Sequence, residues 1–189
     1  MPAKPVRTGR VERSGAVKPA GRAVARRAPT YALLAARMDA ILPRLRRARL
    51  TVAAAESCTG GLLGAILSEG AGSSAVFAGG AVVYSDQAKT ILADVPPQLI
   101  HGHGAVSSVV AAALARGIRE RLGAAIGLGI TGIAGPGGAT PGKPVGLVYV
   151  AVDSATRQSV KKLQWPHDRA GNRLASVDAA LDLLEEAIG

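Results

Sequence analysis

Apolar side chains recur at helical spacing from Tyr31 to Leu42, where Leu33, Leu34, Met38, Ile41 and Leu42 share one broad face. Pro43 is expected to interrupt or kink that helix, because its ring removes an N–H and crowds the preceding turn. Thr51–Glu56, a run of mostly small residues, reads as a buried strand, and Leu62–Leu67 as the next helix. Gly79–Tyr84 predicts a second strand, Gln87–Leu92 a short helix, and Pro96-Pro97 a turn. Ser107 or Ser108 stands where a hydroxyl can cap the periodic run Val109–Leu122. Ala124–Ile130, Val145–Val152 and Ser159–Gln164 predict three further strands, the first two separated by a Gly/Pro-rich loop reaching Gly142. Leu174–Ile188 closes the chain as an amphipathic helix. Strands interleaved with helices predict a single layered α/β/α domain, with a central mixed or mostly parallel sheet and helices on both faces.

Composition changes this picture in two ways. Apolar residues make up 48% of the 189 positions but aromatic ones only 3%, so the core must be filled by Ala, Val, Leu and Ile. The formal charge of +10 is not spread evenly: residues 1–50 carry thirteen Lys or Arg against Glu12 and Asp39, and the remaining body is close to neutral. Residues 1–29 are rich in Pro, Gly, Arg and Ala without periodicity, and are expected to be a disordered basic arm ahead of a domain spanning 30–189. The arm's Arg content would suit a transit peptide, but its Pro and Gly argue against the amphipathic helix such peptides need. No run of about 18 apolar residues and no secretory segment is present, and a lone Cys58 allows no intrachain disulfide; a cytoplasmic location without membrane association is expected.

The chemistry concentrates in a few segments. Ala55-Glu56-Ser57-Cys58-Thr59-Gly60-Gly61 lies where a strand hands over to a helix, a place where functional groups gather in open α/β sheets and helix N–H groups favour negative charge. On the residues alone, an ordinary strand–helix turn with a Ser or Thr cap is the favoured reading. Gly127-Leu-Gly129-Ile-Thr-Gly132 fits the spacing of a dinucleotide fingerprint but leads into a loop, not a helix. Gly137–Lys143 resembles a phosphate loop, but Pro144 replaces the metal-binding hydroxyl and a strand follows. Neither supports a nucleotide cofactor. His101 and His103 lack accompanying Cys or carboxylate at ligand spacing, so no metal is expected.

Five segments in order, AESCTGG (55–61), VVYSDQAK (82–89), HGAVS (103–107), GITGIAGPGG (129–138) and KPVGLVYVA (143–151), with a weaker WPHDR (165–169), resemble the CinA C-terminal-domain family, the nicotinamide-nucleotide amidases. The resemblance covers about residues 31–189. It implies hydrolysis of the carboxamide of nicotinamide mononucleotide to nicotinate mononucleotide and ammonia, a step of pyridine nucleotide salvage needing no cofactor. It implies Ser57 as nucleophile, with Tyr84 and Lys89 as activating partners. A serine hydroxyl needs a neighbouring base, and a lysine serves when burial depresses its pKa. Thr59, Gly60 and Gly61 on one loop, and Thr131, Gly132 and Gly135 on another, are the expected substrate contacts, sharing phosphate binding and oxyanion stabilisation between them. Cys58 is expected to be a packing residue.

The partner so implied is a small-molecule nucleotide, with a homodimer the expected assembly and a stand-alone form without the pyrophosphatase-type domain of many relatives. A different class of function, a competence-related or nucleic-acid-associated module without amidase activity, would work through the basic arm. Two departures from the family pattern stand out: Ser108-Val109 where acidic residues are usual, and His167 where glycine commonly precedes the Asp-Arg pair.

Overall fold

The computed structural model describes residues 27–189, so all but the last three residues of the expected basic arm lie outside the described part. Five strands form one sheet: β1 (Val52–Glu56), β2 (Phe77–Val82), β3 (Ile126–Gly132), β4 (Leu147–Ser154) and β5 (Gln158–Gln164), in the order β2-β1-β3-β4-β5. β1 pairs in parallel with β2 and β3, whereas β3, β4 and β5 run antiparallel in succession. The sheet is therefore mixed, and the expected α/β/α layering is observed. Among the described residues no helix is long and apolar enough to cross a membrane.

Alternation along β1 sends side chains to both layers. Val52 and Ala54 join the core under α1 (Tyr31–Ala48), α2 (Leu62–Glu69) and α6 (Arg169–Ile188); Ala53 and Ala55 face α3 (Asp86–Ala93), α4 (Pro97–His103) and α5 (Ser108–Arg121). All five β1 residues are buried, as expected of a strand covered on both faces. β3 divides its labour differently. Ile126, Leu128 and Ile130 fill the first core, while its glycines let α5 lie directly on the strand. A Cβ at Gly129 would sit 2.4 Å from the Ala111 carbonyl oxygen and 2.6 Å from the Ala115 nitrogen. Gly127 and Gly129 of the fingerprint-like segment thus serve helix–sheet packing, while Gly132 lies against Leu147 and Val148 of β4.

Local expectations needed several corrections. Pro43 does not end α1, which runs on to Ala48. Pro43 is exposed, while Ile41, Leu42 and Leu45 around it are buried. Burial at about 1.5–3 kcal/mol per large apolar side chain outweighs roughly 3 kcal/mol for an internal proline. Pro97 opens the helix α4 where a turn was expected, a position at which the missing N–H costs nothing. α6 starts at Arg169, five residues earlier than its apolar period suggested, with the Asp168 carboxylate accepting from Gly171 N. Of the two candidate caps for α5, Ser107 is the one used.

Candidate active site

The carboxyl ends of β1, β2 and β3 point the same way, and the chain leaves β1 through α2 on one face and β2 through α3 on the other. A crevice opens at such a point. It is a cavity of about 280 Å³ bounded by Ser57 and Cys58 after β1, Tyr84, Asp86 and Lys89 from the β2–α3 junction, and Ala105 and Val106 before α5. The segment Thr131–Gly138 and Arg169 at the start of α6 complete it. Ser57, Tyr84, Lys89, Thr131, Gly132 and Gly135, distant in sequence, are therefore brought to one cavity.

Thr59, Gly60 and Gly61 do not line it. Gly60 and Gly61 turn the chain with φ of 60° and 92°, backbone that side chains with a Cβ rarely adopt. The N-terminus of α2 is not an open anion site either. Glu56, buried at the end of β1, accepts from Leu63 N at 2.9 Å and Gly64 N at 2.8 Å, so the protein supplies its own carboxylate there. Neither Ser57 nor Thr59 caps this helix; Gly61 occupies the cap position. Thr59 is fully buried, and its hydroxyl is the one buried side-chain polar atom without a partner among the described residues. Its carbonyl receives both Nε and Nη2 of Arg173, which ties the turn to α6.

Lys89 carries the most informative electrostatics. Its side chain is 2% exposed, and its ammonium meets the carbonyls of Tyr84 and Ser85 at a long 3.4 Å each and Asp86 Oδ1 at 3.7 Å. Burial lowers its pKa below the ordinary lysine value, with Asp86 and the nearby Cys58 acting in the opposite sense. A lysine so placed releases its proton more readily than one in water. Cys58 goes the other way: burial pushes its thiol up to about 12, outweighing the influence of Arg169 and Arg173. A thiol that stays protonated is a poor nucleophile, which agrees with the expectation of a packing role.

Two walls of the cavity are fixed by side chains. Thr131, expected to touch substrate, donates its hydroxyl to the Ala105 carbonyl at 2.8 Å and so fastens the end of β3 to the loop before α5. Asn172, wholly buried on α6, donates to the Ala134 carbonyl at 3.0 Å and accepts from His167 N at 3.1 Å. His167, standing where the family pattern has glycine, thus still offers its backbone N–H to the start of α6. Tyr84 is exposed at the rim, and its hydroxyl accepts from Arg169 Nη2 at 3.1 Å while Arg169 Nη1 donates to the Gly135 carbonyl at 2.6 Å. Asn172 and Arg169 were not singled out from the sequence. The available signal was two polar residues at the start of a helix adjoining the WPHDR segment.

A larger groove of about 600 Å³ lies alongside α5 over β4 and β5, but its charged lining is self-paired. Asp94 bonds Arg121, Arg116 bonds Glu120, and Asp153 bonds Arg119.

Residues 35–188 match the family model for the CinA C-terminal domain. The chain belongs to this family. It is 53% identical over 138 residues to a CinA-like protein of Koribacter versatilis, an alignment covering 73% of this chain and 33% of the relative. The chain spans about a third of the length of the curated relatives it matches. Among solved structures it is similar to the competence/damage inducible protein CihA of Agrobacterium tumefaciens, with 36% identity and a TM-score of 0.81 over 85% of this chain and 98% of that one. It is also similar to the CinA superfamily protein of Escherichia coli, with 31% identity and a TM-score of 0.78 over 81% and 89%.

Proposed function

We propose that this CinA-family chain is an amidohydrolase that converts nicotinamide mononucleotide to nicotinate mononucleotide and ammonia. The observation carrying this reading is the presence in one cavity of a serine hydroxyl, Ser57, and a buried lysine, Lys89, whose proton is loosely held. A Ser–Lys pair is a known arrangement for acyl transfer and requires no histidine.

In this mechanism the free Lys89 amine takes the proton of Ser57 as its oxygen adds to the carboxamide carbon. The resulting oxyanion is met by main-chain N–H groups. Within the turn Gly60 N and Leu62 N donate to the carbonyls of Ser57 and Thr59, and the N–H groups of Cys58 and Thr59 take no part in that ladder. The Lys89 ammonium returns its proton to the leaving nitrogen, ammonia departs, and an ester on Ser57 remains. Water, deprotonated by Lys89, then adds to the ester, and Ser57 is released with the carboxylate product. Tyr84, joined to Arg169, borders this reaction path at the rim.

Ammonia release from nicotinamide mononucleotide by the purified chain tests the reading. Ser57→Ala is expected to lose turnover by several orders of magnitude while retaining its fold. Turnover undiminished in Ser57→Ala, or absent in the wild type, overturns it.

A further inference from the structure

Glu56 is a buried charge that the mechanism does not use. It is 3% exposed and does not line the cavity, and no cation pairs with it among the described residues. Taking a carboxylate out of water costs several kcal/mol, so the groups that compensate it show its task. Those groups are the second and third N–H of α2: Leu63 N donates to Oε2 at 2.9 Å and Gly64 N to Oε1 at 2.8 Å. A helix ordinarily has these capped by the side chain just ahead of it. That position is Gly61, whose φ of 92° excludes an unstrained capping side chain. The cap reaches α2 from across the whole turn instead.

The other end of this link is the last point at which the sheet holds the chain. Glu56 O accepts from Val83 N at 2.7 Å and Ser57 N donates to Ile130 O at 3.0 Å, so β2 and β3 fix the backbone from both sides. Beyond Ser57 N the turn is held by its own bonds, Gly60 N to Ser57 O and Leu62 N to Thr59 O, and by Arg173 on Thr59 O. Alternation sends the Glu56 side chain with Ala54 to the α2 face and Ser57 with Ala55 to the α3 face. A carboxylate behind the sheet thus closes a ring around the turn that presents the nucleophile in front of it. Gly64 leaves the room, since a Cβ there would lie 3.4 Å from Glu56 Oε1.

We infer that Glu56 is a positioning residue: by pinning α2 to the end of β1 it sets how the N–H groups of Cys58 and Thr59 face the carbonyl oxygen reacting beside Ser57. The inference rests on the amidase reading for the reaction it serves. Because Glu56 stands outside the cavity, its loss acts on the transition state and not on ground-state binding.

The test uses the intact chain as wild type, Glu56→Gln and Glu56→Asp. Glutamine offers one acceptor oxygen to two N–H groups, and the aspartate carboxylate is a methylene too short to span both. On nicotinamide mononucleotide, both variants are expected to lose about tenfold to a hundredfold in kcat, with KM within about twofold of wild type. Ile41→Val, in the core under α1, is the control for lost stability and is expected to keep the wild-type kcat. An unchanged kcat in either folded variant, an equal loss in Ile41→Val, or a rise in KM that accounts for the whole effect overturns the inference. Failure of both Glu56 variants to fold also overturns it, because the residue then serves the domain and not the placement of the turn. A second readout is the rate at which diisopropyl fluorophosphate phosphorylates Ser57: the serine oxygen bonds phosphorus, its proton passes to Lys89, and fluoride leaves. The phosphoryl oxygen meets the same N–H groups, so labelling is expected to be about tenfold slower in Glu56→Gln. Hydrolysis of no mononucleotide by the wild type refutes the amidase reading, and the labelling still decides the role of Glu56. Equal labelling rates in wild type and Glu56→Gln, zero included, overturn that role.

Discussion

Lys89→Met should make the protein more stable and inactive. Methionine matches the unbranched stem of lysine and fills the same channel without a charge. The lysine ammonium is almost wholly removed from water, and the return it receives is small: two carbonyls at 3.4 Å and one carboxylate, Asp86, at 3.7 Å. Asp86 is exposed, and an ion pair with an exposed partner contributes about 0.5 kcal/mol. Long hydrogen bonds add little more, whereas desolvation of a buried ion costs several kcal/mol after relaxation. Replacement by an apolar side chain should therefore stabilise by about 1–3 kcal/mol, within the range seen when buried charges are exchanged for packed apolar groups. At 2–4 °C per kcal/mol for a domain of this size, Tm should rise by roughly 2–12 °C.

The pH dependence identifies the cause. The lysine pKa is lower in the folded protein than its value of 10.5 when unfolded, so between the two the unfolded chain binds the extra proton. Wild-type stability should then rise with pH across that window and level off above 10.5, where neither state carries the charge. Other titrating groups are common to both proteins, so the stability gap between Lys89→Met and wild type isolates this one. Urea denaturation from pH 7 to pH 11 should show the gap narrowing as pH increases. A variant less stable than wild type at pH 7, or a gap independent of pH, would refute the reasoning.

Other consequences can be measured separately. Asp86→Asn removes the carboxylate that raises the Lys89 pKa, so more free amine should be present at a given pH and the rising limb of the kcat–pH profile should move to lower pH. Gly129→Ala places a Cβ against main-chain atoms of Ala111 and Ala115 that cannot rotate away; thermal melts should show a loss of about 1–3 kcal/mol. Asn172→Ala leaves Ala134 O unpaired in the interior and removes the partner of the half-buried His167 N, costing about 1–3 kcal/mol in urea unfolding, and should raise KM by loosening the wall that carries Gly135. Cys58, with its thiol pushed up to about 12, should resist a disulfide reagent at pH 8 in the native protein and react at once in denaturant.

The layering was legible in the chain's own pattern. Alternation and runs of apolar residues are properties of neighbours along the chain, and they located all five strands to within two residues at each end, with five of the six helices present in outline. Ordered motifs carried the candidate nucleophile and base, and Ser57 and Lys89 do line one cavity. What the sequence left open depended on contacts far along the chain. Proline is unfavourable inside an isolated helix, and only the burial of Ile41, Leu42 and Leu45 against other elements lets α1 continue through Pro43. A carboxylate after any strand is free to face water; that Glu56 folds back onto the N–H groups of α2 depends on the turn through Gly60 and Gly61. Likewise Thr131 reads as a loop hydroxyl near a site, and its engagement with Ala105 exists only because α5 packs beside β3. Arg169 is one of many arginines in the chain. Its place at the cavity, bridging Gly135 O and Tyr84 Oη, is a relation among α6, the loop after β3 and the β2–α3 junction that packing alone creates.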